Sequence, residues 1–303
     1  MNILITGGCG FLGSMLAKEL LKNGHRIVVV DITIHDEIEN VDYYCVDLSN
    51  PTEEEMDMLC VILNLTDLVF HFASSVGVEY IDKNPKKSLK NSLSINNIMF
   101  PLFDEYNVKV VYSSSSEVYG NTREAKETDI LKIGSPDKLR WGYACSKLMS
   151  EFMLKSYDFP YVIVRFFNVT GEGHLSETGM VIPRFISHAI KNEDIIVFGD
   201  GYQYRTFCDI RDAIEMLKVV GFDDVHNGEI YNIGNPLNCV TINDLSQLVV
   251  NITGSESTIK HLSYSDCFSD EFGEIYERKP NTDKIKKYYK CKYSLPEIVR
   301  SMI

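Results

Sequence analysis

The sequence predicts an α/β protein, a Rossmann-type doubly wound parallel sheet with a smaller C-terminal α/β domain. Short, almost continuously apolar runs alternate with amphipathic segments from the first residue, and a glycine-rich turn follows the first run. After residue 168 the runs become shorter and Gly, Pro and Asn more frequent. Continuous apolar runs are typical of strands that a parallel sheet buries on both faces.

The predicted elements follow one another in a regular order. The apolar runs predict strands at residues 3–6, 27–32, 68–73, 108–113 and 161–166. The amphipathic segments predict helices at residues 11–23, 86–99 and 143–156. In the first helix leucines recur every four residues and Gly24 provides the stop. Strand, helix and strand within about 30 residues form the βαβ unit of a doubly wound fold.

Three local features modify this pattern. Pro101 cannot donate a backbone hydrogen bond, so we expect the second helix to kink or restart there. The segment between Asp31 and Asp47 is short, so we expect the second crossover helix to be missing or reduced to one turn. The polar stretch at residues 121–140 predicts a long surface loop, and such loops often serve as lids.

The change of pattern near residue 168 predicts two domains. Residues 1–168 are expected to form a dinucleotide-binding domain and residues 169–303 a second domain, with short strands at 195–199 and 229–234. We expect residues 204–222 to pack back on the first domain.

Composition limits the partners and the location. The chain has 30 Lys and Arg against 43 Asp and Glu, a net charge of −13, which argues against nucleic acid as a partner. No apolar run approaches the roughly 20 residues of a membrane span, and the N-terminus lacks a signal-peptide pattern. Eight scattered cysteines without a Cys-x-x-Cys pair favour reduced thiols over a disulfide framework or a metal site. We therefore expect a cytoplasmic protein that binds no metal, nucleic acid or membrane.

The first turn carries glycines at positions 7, 10 and 13, after a strand and before a helix. Glycines there let the backbone and the helix N-terminus approach a pyrophosphate. Asp31 ends the second predicted strand, where a carboxylate accepts hydrogen bonds from a ribose diol and repels a 2′-phosphate. The pattern therefore predicts NAD, and the alternative is a tight turn with a surface Asp. Asp47, after the next strand, is an adenine contact or a turn residue.

Tyr143 and Lys147 form a Tyr-x-x-x-Lys pair on one helix face, where a cation near the phenol lowers the tyrosine pKa. One such pair is expected by chance, and Tyr288 with Lys292 is a second. Position favours the first pair, because it follows the serine-rich strand end. The cofactor residues predicted from both motifs are Gly7, Gly10, Phe11, Leu12, Gly13, Asp31, Asp47, Tyr143 and Lys147.

Four serines and a glutamate leave the carboxyl end of the strand at residues 108–113, the end that faces the ligand crevice in open parallel sheets. Hydroxyls there could hold a substrate hydroxyl, and Glu117 could act as a base or electrostatic partner. Taken alone, the segment could equally be a polar turn.

Together these motifs resemble the extended short-chain dehydrogenase/reductases that act on nucleotide sugars. The resemblance covers essentially the whole chain, with further family-like segments at residues 164–171, 180–185, 205–212, 232–235 and 277–280. It implies that Tyr143 takes the proton of a sugar 4-hydroxyl, that Ser115 shares the hydrogen bond of that hydroxyl, and that Lys147 holds the nicotinamide ribose. The resemblance also implies that residues 169–303 form the nucleotide-sugar-binding domain. The implied substrate-binding residues are Ser116, Asn168, Arg205 and Arg278, the arginines as planar forks suited to phosphate. A homodimer is implied too, although Pro101 interrupts a helix of its usual interface.

Glu117 distinguishes the subclasses that the resemblance includes. Similar 4-epimerases usually carry a small or hydroxyl residue at this position, whereas the decarboxylases and the dehydratases carry Glu. The segment at residues 115–120 matches the UDP-glucuronate decarboxylases except that Thr is usual at position 115, and there Arg278 is a candidate acid. A pyrophosphate contact is an equally good role for Arg278. The favoured function is UDP-glucuronate decarboxylation, with a UDP-sugar 4-epimerase, a nucleotide-hexose dehydratase and a non-catalytic NAD-sensing protein as alternatives.

Overall fold

A seven-stranded parallel sheet forms the centre of the protein in the computed structural model, which describes residues 1–75, 77–139, 141–176, 179–263 and 276–303. The strands are β1 (Asn2–Thr6), β2 (Arg26–Asp31), β3 (Asp42–Cys45), β4 (Leu68–His71), β5 (Lys109–Ser115), β6 (Thr122–Ala125), β7 (Tyr161–Phe166), β8 (Val169–Thr170), β9 (Ile195–Phe198), β10 (Tyr204–Thr206), β11 (Cys208–Asp209), β12 (Ile230–Ile233), β13 (Cys239–Thr241), β14 (Ile259–Leu262) and β15 (Arg278–Pro280). The helices are α1 (Phe11–Lys22), α2 (Glu53–Asn64), α3 (Val78–Lys83), α4 (Pro85–Glu105), α5 (Trp141–Leu154), α6 (Val181–Ile190), α7 (Ile210–Phe222), α8 (Ile242–Thr253) and α9 (Leu295–Arg300).

The central sheet has the strand order β3-β2-β1-β4-β5-β7-β12, and every pair in it is parallel. The order reverses between β1 and β4, which opens a crevice at the carboxyl ends of these strands. The predicted Rossmann-type fold is therefore confirmed.

Helices cover both faces of the sheet. Ile3 and Ile5 of β1 point towards α1 and α7, whereas Leu4 between them points towards α2 and α4. All three side chains are completely buried. Burial on both faces explains why these strands appear in the sequence as continuous apolar runs.

A third cluster of apolar side chains lies between α6, α8, α9 and β9, and includes Phe185, Val197, Leu245 and Ile298. The two-domain division stays a prediction, but residue 168 does not separate the two cores. Strand β12, predicted for the second domain, pairs in parallel with β7 in the central sheet. Helix α7 packs in the core beside α1, whereas β10, from the same predicted segment, pairs with β13.

Helix α4 continues through Pro101 to Glu105, so its predicted end at residue 99 is wrong. Pro101 is exposed, while Phe100 and Phe103 beside it are completely buried. The missing N–H removes a single helical bond, and the buried rings hold the last turn against the core. Residues 32–41, between β2 and β3, contain no helix, as predicted.

The predicted surface loop is partly a strand, because β6 lies within it and pairs with β15. Its last residue, Arg140, lies outside the described residues, and the lid role stays a prediction. Among the described helices, none combines the length and the apolar character that crossing a bilayer requires.

Candidate active site

The glycine turn brings the backbone of three elements close together. Gly7 has a φ of +69°, and a Cβ there would lie 2.8 Å from the backbone nitrogen of Ala73 beyond β4. A Cβ on Gly13 would lie 2.5 Å from the Gly7 carbonyl oxygen. Helix α1 begins directly after Gly10, so the N–H groups of its first turn, at Phe11, Leu12 and Gly13, have no acceptor within the helix. This arrangement fits a dinucleotide pyrophosphate.

Asp31 lies at the end of β2, beside this turn. Its Oδ2 accepts a hydrogen bond from the Cys9 N–H at 2.9 Å, and its Oδ1 accepts one from the Ile32 N–H at 2.7 Å. The Thr33 N–H also donates to Oδ1, at 3.5 Å. Because each carboxylate oxygen accepts two hydrogen bonds, Oδ2 retains capacity for a ribose hydroxyl.

A cavity of about 280 Å³ opens next to Asp31, lined by Gly7, Gly10, Asp47 and Ser74 among others. Asp47 also accepts hydrogen bonds from the N–H and the hydroxyl of Ser49 at 2.9 and 2.6 Å, so it holds a turn and lines the cavity at the same time. The residues present therefore fit the adenosine half of NAD.

His174 lies beside the glycine turn and was missed by the sequence reasoning. Its ring stacks on Phe11 with the centroids 4.1 Å apart and the planes 11° from parallel. Its Nδ1 lies 3.1 Å from the Thr170 hydroxyl, and burial lowers its pKa to about 4. A lone histidine in a glycine-rich loop carries no periodic signal that could have identified it.

The predicted catalytic residues meet at the carboxyl end of β5. Tyr143 and Ser115 share a hydrogen bond. The Lys147 Nζ donates to the Ser113 carbonyl oxygen at 2.8 Å and lies 5.9 Å from the centre of the Tyr143 ring. Tyr288, from the chance pair, packs instead against His226 and is half exposed.

The pKa of Tyr143 departs from the prediction. Burial raises the pKa, and the negative charge of Glu117 raises it further, while the hydrogen bond with Ser115 and the charge of Arg278 act in the opposite direction. Lys147 was predicted to lower the Tyr143 pKa, but burial lowers the pKa of Lys147 itself to about 7. A buried lysine that is close to losing its proton is a weak source of positive charge. The predicted lowering is therefore wrong for the protein alone.

Glu117 and Arg278 form an ion pair beside Tyr143. The Arg278 Nη1 lies 3.1 Å from the Glu117 Oε1, and both side chains are about nine-tenths buried. The Arg278 Nη2 donates to the Asn168 Oδ1 at 3.2 Å, and the Asn168 Nδ2 donates to the Thr206 carbonyl oxygen at 2.8 Å. Asn168 has a φ of +38°, an uncommon value for a residue other than Gly. Three predicted site residues are thus joined in one chain of contacts.

The remaining predicted substrate residues lie at the edges of this chain. Arg205 is half-buried on β10, and its Nη1 donates to the Tyr204 carbonyl oxygen at 2.8 Å. The Tyr204 N–H donates to the Tyr276 carbonyl oxygen, two residues before Arg278. Ser116 is buried at the start of the 3₁₀ helix Ser116–Tyr119. Substrate contacts of both residues stay predictions.

The site thus places the hydroxyls of Tyr143 and Ser115 beside a buried Glu117–Arg278 ion pair, and the catalytic and substrate-binding roles of these residues stay predictions. The model of the family described as "NAD dependent epimerase/dehydratase family" matches residues 3–234. The chain is 34% identical to a UDP-N-acetyl-alpha-D-glucosaminuronate decarboxylase of Bacillus cytotoxicus, over 94% of this chain and 90% of that protein. It is 28% identical to UDP-glucuronic acid decarboxylase 1 of Arabidopsis thaliana, over 100% of this chain and 69% of that protein.

A solved structure shares the fold. The UDP-glucuronic acid 4-epimerase of Bacillus cereus, in complex with UDP-glucuronic acid and NAD, superposes with a TM-score of 0.85 at 24% identity. The alignment covers 99% of this chain and 97% of that one.

Proposed function

Since the chain belongs to the NAD-dependent epimerase/dehydratase family, we propose that it decarboxylates a UDP-linked hexuronic acid through transient oxidation of the sugar at C4. The observation that carries this proposal is the Glu117–Arg278 ion pair, whose two charges both act on the phenol of Tyr143. A hexuronic acid brings a carboxylate at C6, which requires a cation in a buried site. Arg278 supplies that cation beside the residues that would act at C4.

The names of two relatives support this substrate class, because both act on UDP-linked hexuronic acids. Their substrates differ at C2, which carries an acetamido group in one and a hydroxyl group in the other. Both sugars have the C4 hydroxyl and C6 carboxylate on which the proposed chemistry depends. UDP-glucuronate and its 2-acetamido analogue are therefore the two substrates to test.

The residues that would hold NAD are the glycine turn, Asp31 and Lys147. NAD bound there would supply the hydride acceptor for C4 and the source of the hydride that restores the C4 alcohol. Tyr143 removes the proton of the 4-hydroxyl, which Ser115 orients. In the protein alone the Tyr143 pKa is raised, so this role requires nearby positive charge in the complex, from Lys147 and Arg278.

The ketone at C4 makes the C6 carboxylate a β-keto acid. The C5–C6 bond breaks, carbon dioxide leaves, and its bonding electrons move into the carbonyl to form an enolate. Arg278 positions the carboxylate until the bond breaks, and the hydroxyls of Tyr143 and Ser115 then hydrogen-bond to the enolate oxygen at C4. Water donates the proton that adds to C5. Glu117 keeps the guanidinium in place before the substrate enters.

The test incubates the protein and NAD with each of the two sugars and follows the products by mass spectrometry and proton NMR. We expect a product lighter by the mass of carbon dioxide. A product of unchanged mass with an inverted C4 proton would instead identify a 4-epimerase, and loss of water would identify a dehydratase.

The matched control uses the two Tyr-x-x-x-Lys pairs. Tyr143→Phe should abolish turnover and leave NAD binding intact, whereas Tyr288→Phe should turn over like the wild type. Wild-type turnover by the first variant would show that Tyr143 is not the base.

We also propose a homodimer. Helix α5 exposes Cys145, Met149 and Phe152, spaced four and three residues apart on one face, and Met149 and Phe152 are 53% and 65% exposed. Helix α4 packs beside α5, so the two helices offer a paired surface to a second copy. The cytoplasmic location stays a prediction that depends on the unpaired thiols of the described cysteines.

A further inference from the structure

Helix α5 carries a third polar residue on its catalytic face. Tyr143, Lys147 and Glu151 are spaced four residues apart, so all three lie on the side that faces β5. Lys147 and Glu151 are each only 3% exposed. A buried carboxylate is costly unless it is paired and hydrogen-bonded, so Glu151 requires an explanation.

Each side chain of this face bonds to one of three successive serines at the end of β5. The pairs are Lys147 Nζ with the Ser113 carbonyl oxygen at 2.8 Å, the Ser114 hydroxyl with Glu151 Oε1, and Ser115 with Tyr143. Glu151 thus fixes Ser114, which lies between the serine that binds Lys147 and the serine that binds Tyr143.

Arg165 of β7 neutralises Glu151. Its Nε donates to Oε1 at 2.9 Å and its Nη2 donates to Oε2 at 2.7 Å, a bidentate pair with both side chains nearly completely buried. The Arg165 Nη1 donates to the Tyr119 hydroxyl at 2.8 Å. Tyr119 ends the short helix that carries Glu117, so the pair connects α5 to the turn that holds Arg278.

Glu151 also acts on the charge of Lys147. Burial favours the neutral amine, and the negative charge of Glu151 opposes that effect.

The other titratable and charged groups around the two residues are Tyr143 from α5, Tyr112 from β5, His71 from β4 and Arg165 from β7. Burial lowers the pKa of His71 to about 4 and raises that of Tyr112 to about 12, while the pKa of Tyr143 is raised and Arg165 stays charged. Of these shifts, that of Lys147 is the one that brings a pKa to about 7.

We propose that Glu151 is a positioning residue, which with Arg165 holds the serines at the end of β5 against α5 and places a negative charge one helical turn from the Lys147 ammonium. The turnover measurement below rests on the proposed function. The measurement of NAD binding at different pH values does not, because it uses no sugar.

The test measures NAD affinity by calorimetry on the full chain, without sugar, between pH 5.5 and 9 (roughly the range in which Lys147 titrates). The wild-type affinity should fall above about pH 7, as Lys147 loses its proton. In Glu151→Gln, which keeps the shape and an acceptor for Ser114, the fall should begin about one pH unit or more lower. Glu151→Asp keeps the charge and should restore the wild-type midpoint. The alkaline limb of kcat should move in the same direction in each variant.

A midpoint that does not move in Glu151→Gln would overturn the proposal, whether or not the protein decarboxylates any sugar. If Glu151→Gln does not fold because Arg165 is left as an unpaired buried charge, the double variant Glu151→Gln/Arg165→Gln removes both charges. Its midpoint should still move downward, but by less than in the single variant, because the positive charge of Arg165 is lost too. Asp212→Asn is the matched structural control. It changes a buried carboxylate that binds the Tyr289 hydroxyl and the Lys292 N–H, and it should lower the melting temperature without moving the midpoint.

Discussion

At the residue scale, Glu117 has two effects that a single substitution can separate. Its charge raises the pKa of Tyr143, and its carboxylate holds Arg278. These effects act on different steps of the proposed reaction, since Tyr143 serves the oxidation at C4 and Arg278 serves the loss of carbon dioxide.

Glu117→Gln removes the charge and keeps the size of the side chain. Because the anion no longer raises the Tyr143 pKa, the acid limb of cofactor reduction should move to lower pH, by about one unit. Release of carbon dioxide should fall about tenfold or more, because Arg278 loses its ionic partner. Stopped-flow absorbance of the reduced cofactor measures the first quantity, and trapping of carbon dioxide measures the second. An unchanged ratio of the two rates would contradict the separation of roles.

His71 makes a second prediction at this scale. Its ring is completely buried, with Nδ1 2.8 Å from the Thr6 hydroxyl and Nε2 3.0 Å from the Asn96 Oδ1. Burial lowers its pKa from 6.5 to about 4. Between these two values the unfolded chain binds a proton that the folded chain does not, so the free energy of unfolding decreases as the pH falls.

His71 should therefore contribute a loss of about 2 to 3 kcal/mol between pH 7 and pH 4.5. Urea unfolding of the wild type and of His71→Gln at the two pH values measures this contribution. We expect the variant to be less stable at pH 7 but to lose less stability on acidification. The same pH dependence in both proteins would assign the acid sensitivity to other groups.

At the scale of the element, the first turn depends on the absence of side chains. Gly13→Ala should weaken NAD binding by about 2 kcal/mol or more, because its Cβ would lie 2.5 Å from a backbone oxygen that cannot move independently. Gly10→Ala is the matched control, since its nearest atom would lie at 3.3 Å. Calorimetric titration with NAD should rank the wild type first, Gly10→Ala second and Gly13→Ala last. The reverse order of the two variants would show that close packing does not shape this turn.

The same scale shows which parts of the structure a sequence can predict. Strands such as β1 and β4 were predictable because both faces are buried, and the glycine turn was predictable because close backbone approach excludes side chains. The ion pair between Glu117 and Arg278 was not, because neither residue has a local pattern that encodes a contact across the fold. The raised pKa of Tyr143 was missed for a related reason, since spacing along a helix shows which residues are neighbours but not how deeply they are buried.

At the scale of the whole molecule, the exposed face of α5 bears on the proposed dimer. Phe152→Glu places a charge on an apolar side chain that is 65% exposed in the isolated chain. We expect this variant to elute as a monomer in size-exclusion chromatography with light scattering, whereas the wild type elutes as a dimer. Ile190→Glu, which places the same charge on an exposed apolar side chain of α6, is the control and should keep the wild-type mass. A wild-type monomer would contradict the dimer directly.

The place of β12 in the central sheet has a consequence for how the protein is made. Strand β7 lies between β5 and β12, and its second neighbour comes from residues 230–233. During synthesis from the N-terminus, β7 leaves the ribosome more than sixty residues before the strand that covers it. Because the chain grows at roughly 5–20 residues per second, the edge of β7 stays unpaired for several seconds. An unpaired strand edge can pair with another nascent chain during that time. The tendency to aggregate during expression should therefore depend on how quickly the ribosome delivers β12.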